Sequence, residues 1–196
     1  MTLRRVCVFC GSSTGSLPAY RQAAEGLAQA MTARRIELVF GGGRVGLMGV
    51  VADAVLAAGG HAIGVIPQAL VAREIAHPGL PDLRIVGSMH ERKAMMADLA
   101  DAFIALPGGF GTFEEFCEAV TWTQLGLHRK KCGLLNVGGF YDPLLALVDR
   151  AVGDGFIRAG NRAIVVTDDD PARLLDRLAE PLAGERPSWI QTPAQT

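Results

Sequence analysis

Short apolar runs alternate along the chain with longer segments in which apolar residues recur every three or four positions. The runs suit buried parallel strands, and the periodic segments suit helices packed against them. Strands are predicted at residues 4–10, 36–40, 61–66, 83–86, 102–106, 132–137 and 163–167. Helices are predicted at residues 18–34, 46–58, 88–100, 113–126, 141–156 and 170–182. This alternation predicts an α/β fold: a single-domain, doubly wound (Rossmann-like) parallel sheet with helices on both faces.

The predicted elements all fall within residues 1–182, which we expect to form one nucleotide-binding domain. Residues 183–196 are polar and interrupted by prolines, so we expect them to form a loose tail. A chain of 196 residues is long enough to bury one sizeable core. The pattern indicates neither internal repeats nor a second domain.

Composition agrees with a sheet that is covered on both faces. Hydrophobic residues make up 49% of the chain, charged residues make up 20%, and the mean hydropathy is +0.26. The net charge of −1 gives no indication of binding to nucleic acid or to an acidic membrane. No apolar run reaches the length of a membrane-spanning helix, and residues 1–6 carry no signal-peptide pattern, so we expect a cytoplasmic protein.

The cysteines and histidines do not predict a metal site. Cys7 and Cys10 are spaced as C-x-x-C, but in an extended strand residues three apart point to opposite faces. No second cysteine pair follows. The four histidines are scattered without ligand spacing, at His61, His77, His90 and His128. We therefore predict no metal and no cofactor.

Three glycine-rich loops follow predicted strands, at residues 11–16, 41–46 and 107–112. The carboxyl ends of parallel strands lie at one edge of a sheet, and ligands bind there at the point where the strand order reverses. We therefore expect the three loops to lie at the same edge, around a common ligand.

The third loop is predicted to bind a phosphate. It runs Leu106-Pro107-Gly108-Gly109-Phe110-Gly111-Thr112, between a buried strand and a helix. Glycines let the backbone approach a ligand closely, and the N–H groups at a helix start attract an anion. Glu114 and Glu115 follow in the predicted first helical turn. The turn is therefore suited to hold a phosphate and to place a carboxylate beside whatever the phosphate carries.

The second loop, Gly41-Gly42-Gly43-Arg44-Val45-Gly46, matches the G-x-G-x-x-G pattern of dinucleotide sites. Such a site also needs an acidic residue about 20 positions further on, at the end of the next strand. Residues 59–67 contain no carboxylate. A loop that flanks a mononucleotide therefore fits the sequence better, and a plain strand–helix turn is the remaining alternative.

Two further features each allow two interpretations. Thr112 and Glu115 fit a capping box, in which Glu115 only accepts a hydrogen bond from the Thr112 N–H; alternatively, Glu115 is a catalytic carboxylate. Arg92 and Lys93 lie one turn into a helix that starts with the capping box Ser88-Met89-His90-Glu91. Two cations there oppose the helix dipole, which favours a nearby anion, although a solvated pair fits equally well.

These motifs resemble the Lonely Guy (LOG) family of cytokinin riboside 5′-monophosphate phosphoribohydrolases, long labelled lysine decarboxylases. The family pattern P-G-G-x-G-T-x-x-E matches residues 107–115, and Met89-His90-Glu91-Arg92-Lys93 precedes it. The resemblance spans about residues 5–167. It also includes Cys10-Gly11-Ser12-Ser13, Gly41-Gly42-Gly43, Gly64-Val65-Ile66-Pro67 and Thr121-Trp122-Thr123-Gln124-Leu125-Gly126.

The resemblance implies a hydrolase that cleaves the N-glycosidic bond of N6-substituted AMP, releasing the free base and ribose 5-phosphate. It implies Arg92 and Glu115 as the catalytic pair. Together with the glycine loops, it points to substrate contacts from Ser12, Gly42, Gly43, Glu74, Lys93, Gly108, Gly109, Gly111, Thr112, Glu114 and Thr121. The expected partners are a nucleoside 5′-monophosphate and a second copy of the chain, with Met95, Met96, Leu99 and residues 121–126 as the contact surface.

Two other functions stay open at this point. One is a general AMP nucleosidase without preference for N6 substituents. The other is a non-catalytic nucleotide or cofactor carrier of the same fold, which would keep the glycine loops but would not need Arg92 and Glu115 together. The residues also leave open whether Arg92 contacts the phosphate or positions Glu115.

Overall fold

The computed structural model describes residues 2–71 and 75–182. Its strands are β1 (Arg5–Phe9), β2 (Glu37–Phe40), β3 (Ala62–Pro67), β4 (Asp82–Val86), β5 (Ala102–Ala105), β6 (Cys132–Leu135) and β7 (Val165–Asp168). Within the described residues these seven strands form one sheet in the order β4-β3-β2-β1-β5-β6-β7. All neighbouring strands are parallel. The predicted doubly wound sheet is therefore confirmed.

Helices cover both faces of this sheet. They are α1 (Pro18–Ala33), α2 (Gly46–Ala57), α3 (Gln68–Val71), α4 (Met89–Leu99), α5 (Phe110–Leu125), α6 (Asp142–Gly153), α7 (Ala159–Arg162) and α8 (Pro171–Ala179). Residues of α1, α2 and α8 pack into one hydrophobic core, and residues of α4, α5 and α6 pack into the other. Within the described residues, no helix is both long and apolar enough to cross a bilayer.

The two cores explain why the strands are apolar on both sides. Along β1, Val6 and Val8 face the core under α1 and α2, whereas Cys7 and Phe9 face the core under α4 and α5. Cys10, one residue beyond β1, lies in the same core as Val6 and Val8. The prediction that the C-x-x-C thiols diverge is therefore confirmed, and both cysteines are buried and free.

Element boundaries differ from the sequence prediction mainly around helix ends. The short helices α3 and α7 were not predicted, because four residues are too few to show a helical period. Helix α6 ends at Gly153 rather than at residue 156, and Gly155 turns the chain with a φ of +81°. Helix α8 ends at Ala179, because Glu180 precedes a proline and is therefore extended. The tail predicted at residues 183–196 lies outside the described residues, so the domain boundary stays a prediction.

The strand order reverses between β1 and β5, which lie side by side at the centre of the sheet. At their carboxyl ends the Gly11 N–H donates a hydrogen bond to the Pro107 carbonyl at 3.1 Å. The Gly11 carbonyl accepts one from the Leu47 N–H at 3.0 Å, at the start of α2. The three glycine loops therefore meet at one edge, in the crevice where such folds bind ligands.

Candidate active site

The glycine turn after β5 opens directly into α5, whose N-cap residue is Gly109. The first N–H groups of a helix have no partner within the helix, and a glycine cap offers no side chain to bind them. They can therefore bind an anion, as the sequence predicts for this turn. The capping-box interpretation of Thr112 and Glu115 is wrong, because the helix begins three residues earlier than expected. Thr112 thus lies inside the first turn, and Glu114 and Glu115 lie in the second.

The turn has one packed side and one open side. A Cβ added to Gly108 would lie 2.1 Å from Thr112 Oγ1 and 2.8 Å from the Gly11 nitrogen. Thr112 is buried, with 4% of its surface exposed. By contrast, Gly109 and Gly111 are exposed, and a Cβ on either would meet no described atom within 4 Å. A ligand can approach the backbone on that open side.

Helix α4 brings Arg92 to the same edge. The Ser88 side chain accepts a hydrogen bond from the Glu91 N–H at 3.1 Å, which confirms the predicted helix start. The Glu91 carboxylate accepts from the Gly87 N–H at 2.7 Å instead of from Ser88. Arg92 then falls on the buried face of α4, together with Met96.

Arg92 and Glu115 form a buried pair of opposite charges. Arg92 Nη2 lies 3.7 Å from Glu115 Oε1, and the two side chains are 10% and 13% exposed. Arg92 Nη1 donates a long hydrogen bond to Met89 Sδ at 3.6 Å, and Nε has no hydrogen-bond partner among the described residues. The guanidinium is therefore held near the carboxylate with donor capacity left for a ligand.

The electrostatics of the pair follow from its burial. Burial raises the pKa of Glu115 above its ordinary value, and the nearby charge of Arg92 acts in the opposite direction. Burial also raises the pKa of the Cys7 and Cys10 thiols, which therefore stay neutral. A carboxylate in such a poorly solvated place interacts strongly with a positive charge that develops beside it.

Lys93 makes a second set of ion pairs behind this one. Its Nζ donates hydrogen bonds to Glu114 Oε1 at 2.5 Å and to Glu118 Oε1 at 3.0 Å. Burial lowers the pKa of Lys93, but the bonds to Glu114 and Glu118 outweigh burial and raise the pKa overall. Lys93 and Glu114, both predicted as substrate contacts, thus bind each other and connect α4 to α5 next to Arg92 and Glu115.

The other two glycine loops place their predicted contacts differently. Ser12 is exposed at the edge, and its backbone packs against Gly46, where a Cβ would lie 2.2 Å from the Ser12 carbonyl carbon. Gly42 and Gly43 are buried; the Gly42 carbonyl accepts from the His77 N–H at 2.9 Å, and a Cβ on Gly43 would meet Met48. Gly42 and Gly43 are thus packed against the protein itself.

Comparisons with known proteins agree with these features. Residues 48–178 match the family described as "Possible lysine decarboxylase". Over 177 residues the chain is 55% identical to the probable cytokinin riboside 5′-monophosphate phosphoribohydrolase LOGL9 of Oryza sativa subsp. japonica. This alignment covers 90% of this chain and 78% of that protein. The chain belongs to the LOG family. A second member, cytokinin riboside 5′-monophosphate phosphoribohydrolase LOG7 of Arabidopsis thaliana, is 52% identical, covering 90% of this chain and 82% of that protein.

Solved structures share the fold of this LOG family member at much lower identity. The molybdenum cofactor binding protein of Rippkaea orientalis aligns with a TM-score of 0.67 and 20% identity, covering 90% of this chain and 95% of that chain. The molybdenum cofactor carrier protein of Chlamydomonas reinhardtii aligns with a TM-score of 0.67 and 19% identity, covering 90% and 98%. At these identities the likeness shows the fold alone.

Two residues that the LOG resemblance implied as substrate contacts are not placed with the others. Thr121 lies nine residues after Thr112 on α5, which is about 13 Å along a helix axis. Its hydroxyl donates to the Cys117 carbonyl at 2.7 Å, and it lines a cavity of about 200 Å³ between α5 and α6. Glu74 lies outside the described residues.

Three residues that were not predicted as site residues contact the charged side chains of this candidate site. Glu118 is the second partner of Lys93, and its spacing of four residues from Glu114 on α5 was the available signal. Met89 contacts the guanidinium of Arg92 through its sulfur atom. Gly41 packs against the same guanidinium, which no sequence pattern indicates.

Proposed function

We propose that this protein hydrolyses the N-glycosidic bond of N6-substituted adenosine 5′-monophosphates, releasing the free base and ribose 5-phosphate. The observation that carries the proposal is the buried Arg92–Glu115 pair beside the open glycine turn. Relatives more than half identical to this chain are named cytokinin riboside 5′-monophosphate phosphoribohydrolases, which supports the same reaction.

The proposed reaction assigns a role to each part of the site. The N–H groups at the start of α5, around Gly109, Gly111 and Thr112, bind the 5′-phosphate and so fix the ribose. Breaking the bond between ribose and base leaves positive charge on the sugar ring, and the Glu115 carboxylate stabilises that charge. Water adds to the anomeric carbon of the ribose, and the base departs with the electron pair of the broken bond and takes up a proton.

The alternatives that the sequence left open make different demands on the site. A non-catalytic carrier needs an anion-binding turn but no carboxylate buried beside it, and burying Glu115 costs free energy. Such a cost at an open ligand crevice favours catalysis over carriage. A general AMP nucleosidase would need the same pair, so the base preference is decided by experiment.

That experiment incubates the purified protein with isopentenyl-AMP and with AMP, and follows the free base and ribose 5-phosphate. We expect both products from isopentenyl-AMP, at a higher rate than from AMP. Equal rates on the two substrates would support the general nucleosidase. Release of neither product from either substrate, with nucleotide binding intact, would support the carrier.

A first prediction concerns the phosphate. Because the open glycine turn supplies binding energy remote from the broken bond, nucleoside 5′-monophosphates should be hydrolysed far faster than the matching nucleosides. The expected difference in kcat/KM is roughly a hundredfold or more, the scale of a well-placed charged contact. Steady-state rates with AMP and adenosine measure it. Equal values would show that the turn does not bind the phosphate.

A second prediction is that the protein is a homodimer in solution. The expected contact surface needs one correction, because Met96 is 1% exposed and lies in the core. It shares the buried face of α4 with Arg92, whereas Met95 and Leu99 are only partly buried. The α5–α6 cavity, walled by Val120, Leu144, Leu145 and other apolar side chains, adds to the surface proposed to be covered.

Light scattering at micromolar concentration is expected to give twice the mass of one chain. A Thr121→Arg substitution, placed in the α5–α6 cavity, should shift the mass toward that of a single chain. A monomeric mass for the unchanged protein would remove the proposal. We also propose that the protein is cytoplasmic, and cell fractionation would test this location.

A further inference from the structure

The three consecutive glycines after β2 differ in what an added side chain would meet. Gly42 has a φ of +70° and packs against Ile66 of β3. At Gly43 an added Cβ would meet Met48, a flexible side chain, at 3.2 Å. At Gly41 an added Cβ would lie 1.9 Å from Arg92 Nη2 and 3.0 Å from Arg92 Cζ.

The backbone of Gly41 does not itself require glycine. Its φ lies outside the left-handed region, so alanine could adopt the same conformation. What an added Cβ would meet is the terminal part of the Arg92 side chain, so an alanine at this position requires the guanidinium to move.

Within the part of the chain that the structure describes, hydrogen bonds hold the guanidinium only weakly. Nε has no partner among the described residues, and Nη2 lies beyond hydrogen-bond distance from Glu115. The hydrogen bond that Nη1 makes to a described residue is the long contact with the Met89 sulfur atom. Among the described residues, close packing against the backbone of Gly41 is therefore a contact that can hold the guanidinium in place beside Glu115.

We propose that Gly41 is a positioning residue for the reaction: the space it leaves empty sets the position of the Arg92 guanidinium relative to Glu115. This inference rests on the proposed function for its kinetic consequence. The claim that Gly41 sets the position of the Arg92 guanidinium concerns only these two residues and does not depend on the reaction. Gly41 acts through Arg92 and needs no contact with the substrate.

A double-mutant cycle tests whether Gly41 acts through Arg92. Gly41→Ala should lower kcat by roughly a hundredfold, because it displaces the guanidinium by an ångström or more. In the Arg92→Ala background, the same substitution should lower the residual rate by no more than about twofold, since the group it displaces is absent. Equal factors in the two backgrounds would overturn the proposal, because Gly41 would then act independently of Arg92.

Gly133→Ala is the matched control for general packing damage. Gly133 is a buried glycine of β6, and its added Cβ would lie 3.1 Å from Leu174 and 3.3 Å from Leu178, away from Arg92. We expect this variant to lose some thermal stability and to keep its kcat. A loss of kcat in Gly133→Ala as large as in Gly41→Ala would assign the effect of Gly41→Ala to general packing and overturn the proposal.

A titration of Glu115 decides the positional claim without any substrate. Arg92 lowers the pKa of Glu115, so displacing the guanidinium should raise that pKa. Carboxyl-labelled NMR of the unliganded protein measures it in the wild type and in Gly41→Ala. An unchanged pKa of Glu115 in folded Gly41→Ala would overturn the proposal. Because no turnover is involved, failure of the hydrolase assignment leaves this result interpretable.

Discussion

Glu115→Gln is expected to lower turnover by about a hundredfold or more while leaving nucleotide binding intact. Glutamine keeps the shape of the side chain but removes the negative charge that a positively charged ribose ring needs in the transition state. The phosphate contacts proposed for Gly109, Gly111 and Thr112 do not involve Glu115, so the Kd for the nucleotide should change little. A rate assay and a binding isotherm for each variant measure the two effects.

The same substitution should not destabilise the fold at neutral pH. The pKa of Glu115 is raised in the folded protein, so the folded state favours the protonated form, and stability is lost as the pH rises through that raised pKa. Glutamine resembles the protonated form, so burying it does not require the removal of water from a negative charge. We therefore expect melting temperatures equal to or above those of the wild type at neutral pH, with the difference vanishing on acidification.

Glu118→Gln is the control for the same chemical change on α5, one turn further along. It weakens the pairing with Lys93 but leaves Glu115 in place, so its loss of turnover should be much the smaller of the two. If Glu115→Gln retains near-normal turnover, the carboxylate does not take part in the chemistry. The proposed hydrolase activity would then lack its main chemical support.

The sequence was sufficient for the sheet because the sheet depends on local pattern. Short apolar runs that end in glycines, such as residues 102–106, favour strands buried on both faces, and in a parallel sheet the glycine turns after them lie at the carboxyl edge. Helix starts with a polar cap, such as Ser88, were equally readable. Short helices such as α3 and α7 carry too few residues to show a period.

The site was predictable in its residue types but not in its contacts. Thr112 and Glu115 satisfy a capping box by spacing, and only the position of the helix start at Gly109 shows that they do not form one. The pairing of Lys93 with Glu114 and Glu118, like the packing of Gly41 on Arg92, joins segments that are distant in the sequence. The first contact depends on how α4 packs beside α5, and the second depends on how α4 packs beside the loop after β2. No local sequence pattern determines either arrangement.

Arg92→Ala is expected to lower kcat by roughly a hundredfold or more, and its pH dependence separates the two roles that the sequence left open. If Arg92 acts on Glu115, as the 3.7 Å separation suggests, removing its charge raises the pKa of Glu115 further. Activity that requires the carboxylate would then be lost at a higher pH as the solution is acidified, compared with the wild type.

Arg92→Lys provides the matched control, because it keeps a positive charge but loses the planar guanidinium that packs on Gly41. We expect Arg92→Lys to lose activity on acidification at a pH closer to that of the wild type, which is the acidic limb of its profile of kcat against pH. We expect it to recover only part of kcat. Profiles of kcat against pH for the wild type, Arg92→Ala and Arg92→Lys show which of the two roles Arg92 has. A rise in KM for AMP with an unmoved acidic limb would instead assign Arg92 to the phosphate, since a phosphate ligand contributes binding without altering the protonation of Glu115.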